Sequence, residues 1–319
     1  MPRTEDSTIG GVQAAVHDNG HTAALVYDLA TVEDPLAWVT AHREPLRAAL
    51  RSRGFVLLRG TSRDVEAFHQ VVSAVGGDLL EYTERSTPRS AVSGNIYTST
   101  EYPADQAIPM HNESSYSSRW PQSVFFFCQT PPATGGATPI ADSRSVLAQL
   151  PADLRERFAD GVVYTRTFRD GLGLSWEEAF QTADRAAVEQ YCTDHGIEFE
   201  WVEDGLRTRH RRPATARAAH TGEEVWFNQA NLFHVSGLEP EVREALLALY
   251  AEADLPRNAY LADGGSIPDE DLRTIASVYD RVALALPYRQ GDVLMIDNML
   301  MAHGREPYTG DRRILVAMS

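Results

Sequence analysis

The sequence predicts a mainly β protein with flanking helices (α+β class), built on a double-stranded β-helix, or jelly-roll, core that carries a helical insert. Two blocks of short apolar runs, over residues 93–141 and 225–318, contain turns rich in Gly and Pro. A segment of mixed helical and strand character lies between the blocks. Strand blocks that are distant in sequence are typical of a barrel whose halves close on each other, with a ligand site at the open mouth.

The N-terminal part predicts a scaffold without catalytic residues. Residues 1–20 are polar and predict a loose, irregular lead-in. Apolar residues recur at helical spacing over 35–50, and Gly54 follows as a natural helix stop. Residues 55–58 form a short, fully apolar strand candidate, which is followed by a second helical pattern that ends at a Gly pair.

Residues 142–220 form the predicted insert, a candidate lid over the barrel mouth. Its one dense positive cluster, Arg207–Arg212, could receive an anionic substrate group or an acidic partner. A solvated surface loop is nevertheless the expected structure there, as for most charge runs. Because the chain of 319 residues shows no internal repeat and no linker, it predicts a single domain.

Composition limits the classes of partner. The formal net charge of −16 argues against nucleic acid, because binding to phosphates needs clustered Lys and Arg. No apolar run approaches the ~20 residues that span a bilayer, so no membrane association is expected. The two cysteines, Cys128 and Cys192, are far apart and suggest neither a disulfide framework nor a thiolate metal site. These features predict a cytoplasmic protein.

The segment Met110–Tyr116 carries the strongest chemical signal. In an extended chain side chains alternate between faces, so His111 and Glu113 would point the same way and share one metal ion. Among ten histidines, His303 is the favoured third ligand, because it follows a strand that ends in a turn and precedes Gly304. Two imidazoles and one carboxylate match the ligands of non-haem iron(II) oxygenases, and zinc can use the same three with a water.

An oxygenase of this kind needs a further cation when its co-substrate is 2-oxoglutarate, which chelates the metal with one end and leaves a carboxylate at the other. A planar, bidentate guanidinium suits that carboxylate. Arg312 and Arg313 open the last predicted strand, and alternation lets only one of them point inward. Thr138 is a candidate hydroxyl donor to the same carboxylate. Taken singly, each residue is equally compatible with an ordinary surface or strand position.

Together these stretches resemble the taurine dioxygenase-like (TauD/TfdA type) family of iron(II)- and 2-oxoglutarate-dependent dioxygenases. The similarity follows the family's order through residues 54–60, 110–113, 135–138, 297–305 and 312–314. The resemblance implies that His111, Glu113 and His303 bind iron, and that Arg313, helped by Thr138, binds the 5-carboxylate of 2-oxoglutarate. It also implies that dioxygen and 2-oxoglutarate are consumed and that succinate and carbon dioxide are released.

Two departures from the founding taurine enzyme bear on the substrate. The carboxylate ligand is Glu113 where that enzyme has Asp, as in the clavaminate synthase-like branch. Ala317 stands where the sulfonate-binding enzymes carry another arginine, so taurine is not expected. Residues 111–116 and 226–230 are most similar to the syringomycin-type aspartyl β-hydroxylase group, which implies an amino-acid substrate, free or carrier-bound. The retained carboxylate disfavours halogenation, because related halogenases have a small residue there.

The substrate-binding candidates lie near the predicted barrel mouth and in the insert: Asn95, Ser115, Arg119, Arg166, Phe227 and Asn228. For the two arginines, a surface salt bridge is an equally good interpretation. A peptidyl carrier protein as partner and self-association into a homo-oligomer are both compatible with the sequence. Desaturation, cyclisation or epoxidation are alternatives to hydroxylation, and a zinc hydrolase or a barrel used only for binding are more distant ones.

Overall fold

The computed structural model describes residues 7–319, except 63, 82, 83, 88, 100, 101 and 170. Its strands are, in chain order, β1 (Thr8–Ile9), β2 (Val12–Gln13), β3 (Ala15–Asp18), β4 (Ala23–Asp28), β5 (Phe55–Arg59), β6 (Ala91–Ser93), β7 (Ile96–Thr98), β8 (Ile108–His111), β9 (Ser123–Thr130), β10 (Thr134–Gly135), β11 (Ile140–Asp142), β12 (Val162–Arg169), β13 (Glu198–Val202), β14 (Gly205–Arg212), β15 (Thr215–Arg217), β16 (Glu224–Trp226), β17 (Arg257–Leu261), β18 (Val293–Asp297), β19 (Met301–Arg305), β20 (Tyr308–Thr309) and β21 (Arg313–Met318). Its α-helices are α1 (Pro35–Ala41), α2 (Arg43–Arg53), α3 (Val65–Val75), α4 (Ser143–Gln149), α5 (Ala152–Arg157), α6 (Trp176–Phe180), α7 (Arg185–Asp194), α8 (Ala230–Phe233), α9 (Pro240–Leu249) and α10 (Asp269–Val282).

The largest sheet has the strand order β3-β4-β5-β18-β9-β21-β7-β6. Its central strand β9 is apolar on both faces because both faces are covered. Phe125 and Phe127 pack toward the N-terminal helices, where the ring of Phe127 stacks on that of Phe68 with centroids 5.2 Å apart. Phe126 and Cys128 belong to a second buried cluster on the opposite face. The uninterrupted apolar run therefore marks a strand between two hydrophobic layers.

A three-stranded sheet, ordered β11-β19-β8, packs on that opposite face of the large sheet. Ile140 and Met301 of the small sheet join Phe126, Ile296 and Ile314 of the large sheet in one buried cluster. Strands β8 and β19, which carry two of the candidate metal ligands, are neighbours in the small sheet. These facing sheets with helices packed outside them confirm the mixed architecture of sheets and helices that the sequence predicts.

The predicted insert, 142–220, supplies most of a separate four-stranded sheet, ordered β13-β14-β12-β17. Its edge strand β17 comes from beyond the predicted bounds. The basic run Arg207–Arg212 lies in the interior strand β14, so its interpretation as a solvated loop is wrong. Leu206, Thr208 and His210 are buried, whereas the intervening arginines are exposed or half-buried. Buried and solvent-accessible residues therefore alternate with the two-residue period of a strand, although the many arginines make this pattern hard to recognise in the sequence.

Two long helical patterns are each divided in the structure. The pattern over 35–50 forms α1 and α2, which meet at His42. Helices α4 and α5 are separated by Leu150 and Pro151, because proline lacks the N–H that a continuous helix needs and restricts the residue before it. Helix α10 was not predicted, although its buried residues recur every three or four positions.

The N-terminal lead-in becomes regular earlier than expected. From Thr8 onward the chain forms β1 to β3, and β3 pairs with β4 at the edge of the large sheet. The expected irregular structure is therefore wrong for this part, while residues 1–6 lie outside the described residues. Among the helices of the described chain, none is both long enough and apolar enough to cross a lipid bilayer.

Candidate active site

Two adjacent strands of the small sheet bring the candidate ligands together. His111, the last residue of β8, lies directly opposite His303 of β19, and opposed residues of an antiparallel pair point to the same face. Their ring centroids are 4.5 Å apart. Glu113 lies beyond the end of β8, in a turn where Ser114 has the left-handed φ of 54°. The turn, rather than alternation along one strand, brings Glu113 to the two histidines.

A buried amide holds that turn in place. Asn298, which is fully buried, accepts a hydrogen bond from the backbone N–H of Glu113 at 2.7 Å. Its own side-chain nitrogen donates to the carbonyls of Glu113 and Pro121, each at 2.9 Å. Because Asn298 lies in the connection between β18 and β19, the segment that leads to His303 also fixes the backbone of Glu113.

The three donor atoms converge on one point. The Nε2 atoms of His111 and His303 lie 3.9 and 3.7 Å from Oε2 of Glu113, and one ligand atom of each residue lies within 4.8 Å of the others. Nδ1–H of His111 donates to the carbonyl of Pro109 at 2.8 Å, which leaves its Nε2 lone pair free for a metal. Burial, assisted by the nearby His303, lowers the pKa of His111 to about 4. The donor set fits iron(II).

Arg89 neutralises the carboxylate ligand and was not predicted from the sequence. Its Nη2 lies 3.1 and 3.0 Å from the two carboxylate oxygens of Glu113. Burial alone would raise the pKa of Glu113, but the charge of Arg89 and the two imidazoles hold it well below its ordinary value. The carboxylate is therefore ionised and oriented before any ligand arrives. Arg89 lies in a polar stretch without periodicity, so no pattern pointed to it.

Of the paired arginines, Arg312 rather than Arg313 faces the interior, which corrects the assignment that the family motif suggested. Arg313 is exposed at the start of β21. Nε of Arg312 donates to the carbonyl of Gly136 at 2.9 Å. Ile314 and Val316 of β21 belong to the buried cluster between the two sheets, and Arg312, two residues before Ile314, lies on the same face. Alternation along the strand shows that one arginine of the pair points inward, but the sequence alone does not show which one.

The pocket around Arg312 contains the predicted hydroxyl donor. Oγ1 of Thr138 and the hydroxyl of Tyr288 are 2.8 Å apart, and the guanidinium of Arg312 lies 5.9 Å from the centroid of the Tyr288 ring. A Cβ at Gly136 would lie 3.2 Å from Cδ of Arg312, so glycine permits this close approach. Within the described residues Arg312 has no ion pair with a carboxylate, and burial lowers its pKa. The pocket is thus suited to an anionic ligand.

Strand β9 sets the distance between the Arg312 pocket and the metal ligands. Phe126 packs edge-on against the ring of His303, with centroids 5.2 Å apart. Cys128, two residues further on the same face, pairs with Ile314, which follows Arg312 by two residues. Two residues of strand span about 7 Å. That separation suits a five-carbon dicarboxylate that bridges the two positions.

A cavity lies next to the candidate metal centre. Its lining includes His111, Glu113 and Arg89, and also Tyr102, Gln229 and Arg257. Nε2 of Gln229 donates to the carbonyl of Asn112 at 2.7 Å. Resemblance singles out residues 226–230 as a stretch, but no sequence pattern selects Gln229 or Arg257 individually.

The cavity lining includes none of the six predicted substrate-binding residues; the first five are Asn95, Ser115, Arg119, Phe227 and Asn228. Several of these side chains contact other protein groups. Oγ of Ser115 donates to the carbonyl of Asn112 at 3.0 Å, and Phe227 packs on Trp120 with ring centroids 5.1 Å apart. Arg119 is exposed and lines a separate hollow. The sixth, Arg166, lines a cavity that shares Arg257 with the one beside the metal centre.

Sequence comparison places the chain in a known family. The family model described as taurine catabolism dioxygenase TauD, TfdA family matches residues 23–318. The dapdiamide synthesis protein DdaC of Enterobacter agglomerans is 40% identical over 277 residues, which cover 86% of this chain and 84% of that protein. A clavaminate synthase-like protein of Arabidopsis thaliana is 30% identical over 294 residues, which cover 88% and 86% of the two chains.

Solved structures share the fold at lower sequence identity. PvcB from Pseudomonas aeruginosa is 16% identical, with a TM-score of 0.54 and coverage of 100% of this chain and 94% of that one. A taurine dioxygenase from Burkholderia xenovorans is 19% identical, with a TM-score of 0.51 and coverage of 96% and 88%. The resemblance predicted from the motifs is confirmed: the chain belongs to the TauD, TfdA family and is a 2-oxoglutarate-dependent dioxygenase that uses iron(II), 2-oxoglutarate and dioxygen.

Proposed function

We propose that this dioxygenase hydroxylates an unactivated C–H bond of an amino acid or an amino-acid-derived substrate in natural-product biosynthesis. The observation that carries the proposal is the convergence of His111, Glu113 and His303 beside a cavity that also contains Arg257. The retained carboxylate favours hydroxylation over halogenation. The relative that is 40% identical is named for dapdiamide synthesis, which supports an amino-acid-derived substrate.

The protein's own residues fix the components in place. His111 and His303 would bind iron through Nε2 and Glu113 through a carboxylate oxygen, while Arg312, helped by Thr138, would hold the far carboxylate of 2-oxoglutarate. When bound, iron(II) and 2-oxoglutarate would use dioxygen to convert the C–H bond to an alcohol, with one oxygen atom going to the alcohol, the other to succinate, and carbon dioxide released from 2-oxoglutarate.

Positioning residues and apolar packing complete the site. Asn298 and Arg89 hold the backbone and the carboxylate of Glu113, so the ligand needs little reorganisation. Phe126 covers one face of His303 and limits the access of water to it. These contacts come from elements outside the small sheet, so the facing layers together build the site.

The proposal also covers the architecture of the domain and the cellular location of the protein. We infer that the two facing sheets form a double-stranded β-helix core of a single dioxygenase domain, and that the sheet built mainly from residues 142–220 acts as a lid. The buried cysteines Cys128 and Cys192 are both free, which supports a cytoplasmic location. A carrier protein remains one way of presenting the substrate.

The test is turnover by anaerobically purified protein supplied with iron(II), 2-oxoglutarate and oxygen. Amino acids and N-acyl amino acids are added in turn, and succinate and product mass are measured. Substrate-stimulated succinate with a product 16 mass units heavier is expected for hydroxylation, whereas a loss of two hydrogens would indicate desaturation or cyclisation. The 16-unit gain also fits epoxidation, which NMR of the product separates from hydroxylation.

Two variants and one metal exchange serve as controls. His303→Ala should abolish both metal binding and turnover, while His69→Ala, on the exposed face of α3, should match the wild type. Activity with zinc that does not depend on 2-oxoglutarate would favour a hydrolase. Absence of stimulation by every amino acid and N-acyl amino acid would count against the amino-acid substrate.

A further inference from the structure

Two arginines face each other on the insert sheet. In the antiparallel pairing of β12 with β17, Arg166 lies directly opposite Arg257. Opposed residues share one face of the sheet with Cβ atoms about 5 Å apart, and like charges in that arrangement repel. Arg166 is only 8% exposed, and burial lowers the pKa of Arg257. The electrostatic repulsion between these two cations is therefore poorly screened by water and destabilises the folded protein.

Neither arginine is neutralised by an acid in the described chain. Nη2 of Arg166 donates to the carbonyl of Arg85, but its Nη1 is buried without a hydrogen-bond partner. For Arg257 the described residues form no hydrogen bond and no ion pair with the guanidinium, which lies 5.8 Å from the ring centroid of Phe233. By contrast, Arg169 and Arg209 on the same sheet each have a carboxylate within ion-pair distance.

Glu84 interacts electrostatically with Arg166, but the described residues show no salt bridge or hydrogen bond between the two side chains. Glu84 accepts hydrogen bonds from Ser117 Oγ at 2.6 Å and from the hydroxyl of Tyr191 at 3.0 Å. Burial raises the pKa of Glu84, which weakens it further as a counter-ion. The missing negative charge must therefore come from outside the described residues.

The position of the pair indicates what that charge belongs to. Arg257 lines the cavity that also contains His111 and Glu113. Together with Arg166 it lines a second cavity that extends from there along Phe168. A ligand that neutralises Arg257 would lie beside the metal centre, where the substrate must be placed. A planar guanidinium binds a carboxylate through two parallel hydrogen bonds.

We propose that Arg257, with Arg166 behind it, binds a free carboxylate of the substrate at the edge of the metal cavity. This inference rests on the proposed function, because it specifies the substrate of the same site. A carrier-bound thioester has lost the carboxylate through which it is attached and cannot make this contact with that group. The substrate is therefore recognised as an acid, either a free amino acid or a derivative that keeps a carboxylate.

The first experiment measures anion binding without turnover. Thermal unfolding is followed with saturating 2-oxoglutarate, which occupies the Arg312 pocket, while sodium acetate replaces sodium chloride at constant ionic strength. We expect the melting temperature of the wild type to rise by about 2 °C or more once acetate exceeds its dissociation constant several-fold. Arg257→Met should show no rise, and Arg257→Lys, which keeps the charge but loses the planar fork, a smaller one.

Matched controls decide between a site and a general salt effect. Arg209→Met removes an exposed arginine of the same sheet and should keep the full acetate response. Arg257→Met should be at least as stable as the wild type in chloride, because it loses a half-buried cation that has no acid partner in the described chain. Equal acetate responses in the wild type and Arg257→Met would overturn the proposal, as would a stronger response to inorganic phosphate than to acetate.

The second experiment uses turnover. Each amino acid or N-acyl amino acid that stimulates succinate release is compared with its primary carboxamide. The carboxamide is expected to have a KM at least about 10-fold higher in the wild type, and this difference should disappear in Arg257→Met. Equal use of acid and carboxamide by the wild type would contradict the inference. Since acetate binding needs no turnover, failure of the dioxygenase assignment and failure of the carboxylate site remain distinguishable.

Discussion

Arg312 lies between the facing sheets and Arg257 lies on the insert sheet, and neither has an acid partner in the described chain. The structure holds the two arginines in different ways. Arg312 is fixed, because it donates to the carbonyl of Gly136 at 2.9 Å and lies beside two tyrosine rings. The guanidinium of Arg257 has no hydrogen bond or ion pair with the described residues and lies 5.8 Å from the ring centroid of Phe233. A preorganised cation suits a co-substrate with one shape, whereas an adjustable cation suits a substrate whose shape differs among related enzymes.

The metal centre and the insert sheet also differ in how far their charged side chains are neutralised. Around Glu113 every charge is compensated, since Arg89 faces the carboxylate and Asn298 fixes its backbone. In the insert sheet, Arg166 and Arg257 remain uncompensated at the cavity edge. The charges at the metal centre between the facing sheets are thus neutralised by the protein itself. The charges on the insert sheet would be neutralised only by a bound ligand.

The largest kinetic effect that would sharpen this comparison concerns the paired arginines. Arg312→Ala should raise the KM for 2-oxoglutarate about 10- to 100-fold, because a charge-assisted hydrogen bond contributes about 1.5–3 kcal/mol. Arg313→Ala removes an exposed side chain and should leave that KM within about 2-fold. Initial rates of succinate release measure both values. A larger effect for Arg313→Ala would restore the assignment suggested by the family motif.

A second effect separates the arginine at the metal ligand from the one at the cavity edge. Arg89→Met should weaken metal binding about 10-fold or more, because Glu113 loses the group that keeps it ionised and oriented. Arg257→Met, in the same cavity but without contact to a ligand residue, should leave metal affinity unchanged. Calorimetric titration with cobalt(II) gives both affinities. An equal loss in both variants would show that only the total charge of the cavity matters.

The smallest effect concerns stability. Asn228 is buried, donates to the carbonyl of Ala214 at 2.9 Å and accepts from the N–H of Ala230 at 3.1 Å. Asn228→Ala should therefore lower the free energy of unfolding by about 1–3 kcal/mol, measured by urea denaturation. Asn95→Ala, at a half-buried position with one bond to Leu79, should cost about 0.5–1.5 kcal/mol. A raised substrate KM without lost stability would instead support the predicted substrate-binding role of Asn228.

The metal ligands could be selected from sequence because their chemistry is rare in combination. His111 and Glu113 are close in the chain, and His303 follows a strand that is recognisable by its apolar run. The reason given for their convergence was incomplete, since β8 ends at His111 and a turn positions Glu113. Residue type and order identified the ligands, although the local backbone was misread.

Other features could not be read from the chain because they depend on register or on packing. Arg312 rather than Arg313 shares the inner face of Ile314, and periodicity alone does not say which face of the last strand points inward. The charge run of β14 predicts a loop, because its arginines conceal the buried residues between them. Arg89 and Arg257 belong to no motif, and each gains its role from a partner or a cavity that is distant in sequence.

By itself, the sequence determined the family, the three candidate metal ligands and the expectation of an arginine near the end of the chain. Those properties depend on which functional groups are present and in what order. Tertiary structure alone decided that Arg312 faces inward, that Arg89 neutralises Glu113, and that Arg166 and Arg257 face each other at the cavity. Electrostatic roles of this kind depend on distance and burial, which only the folded chain defines.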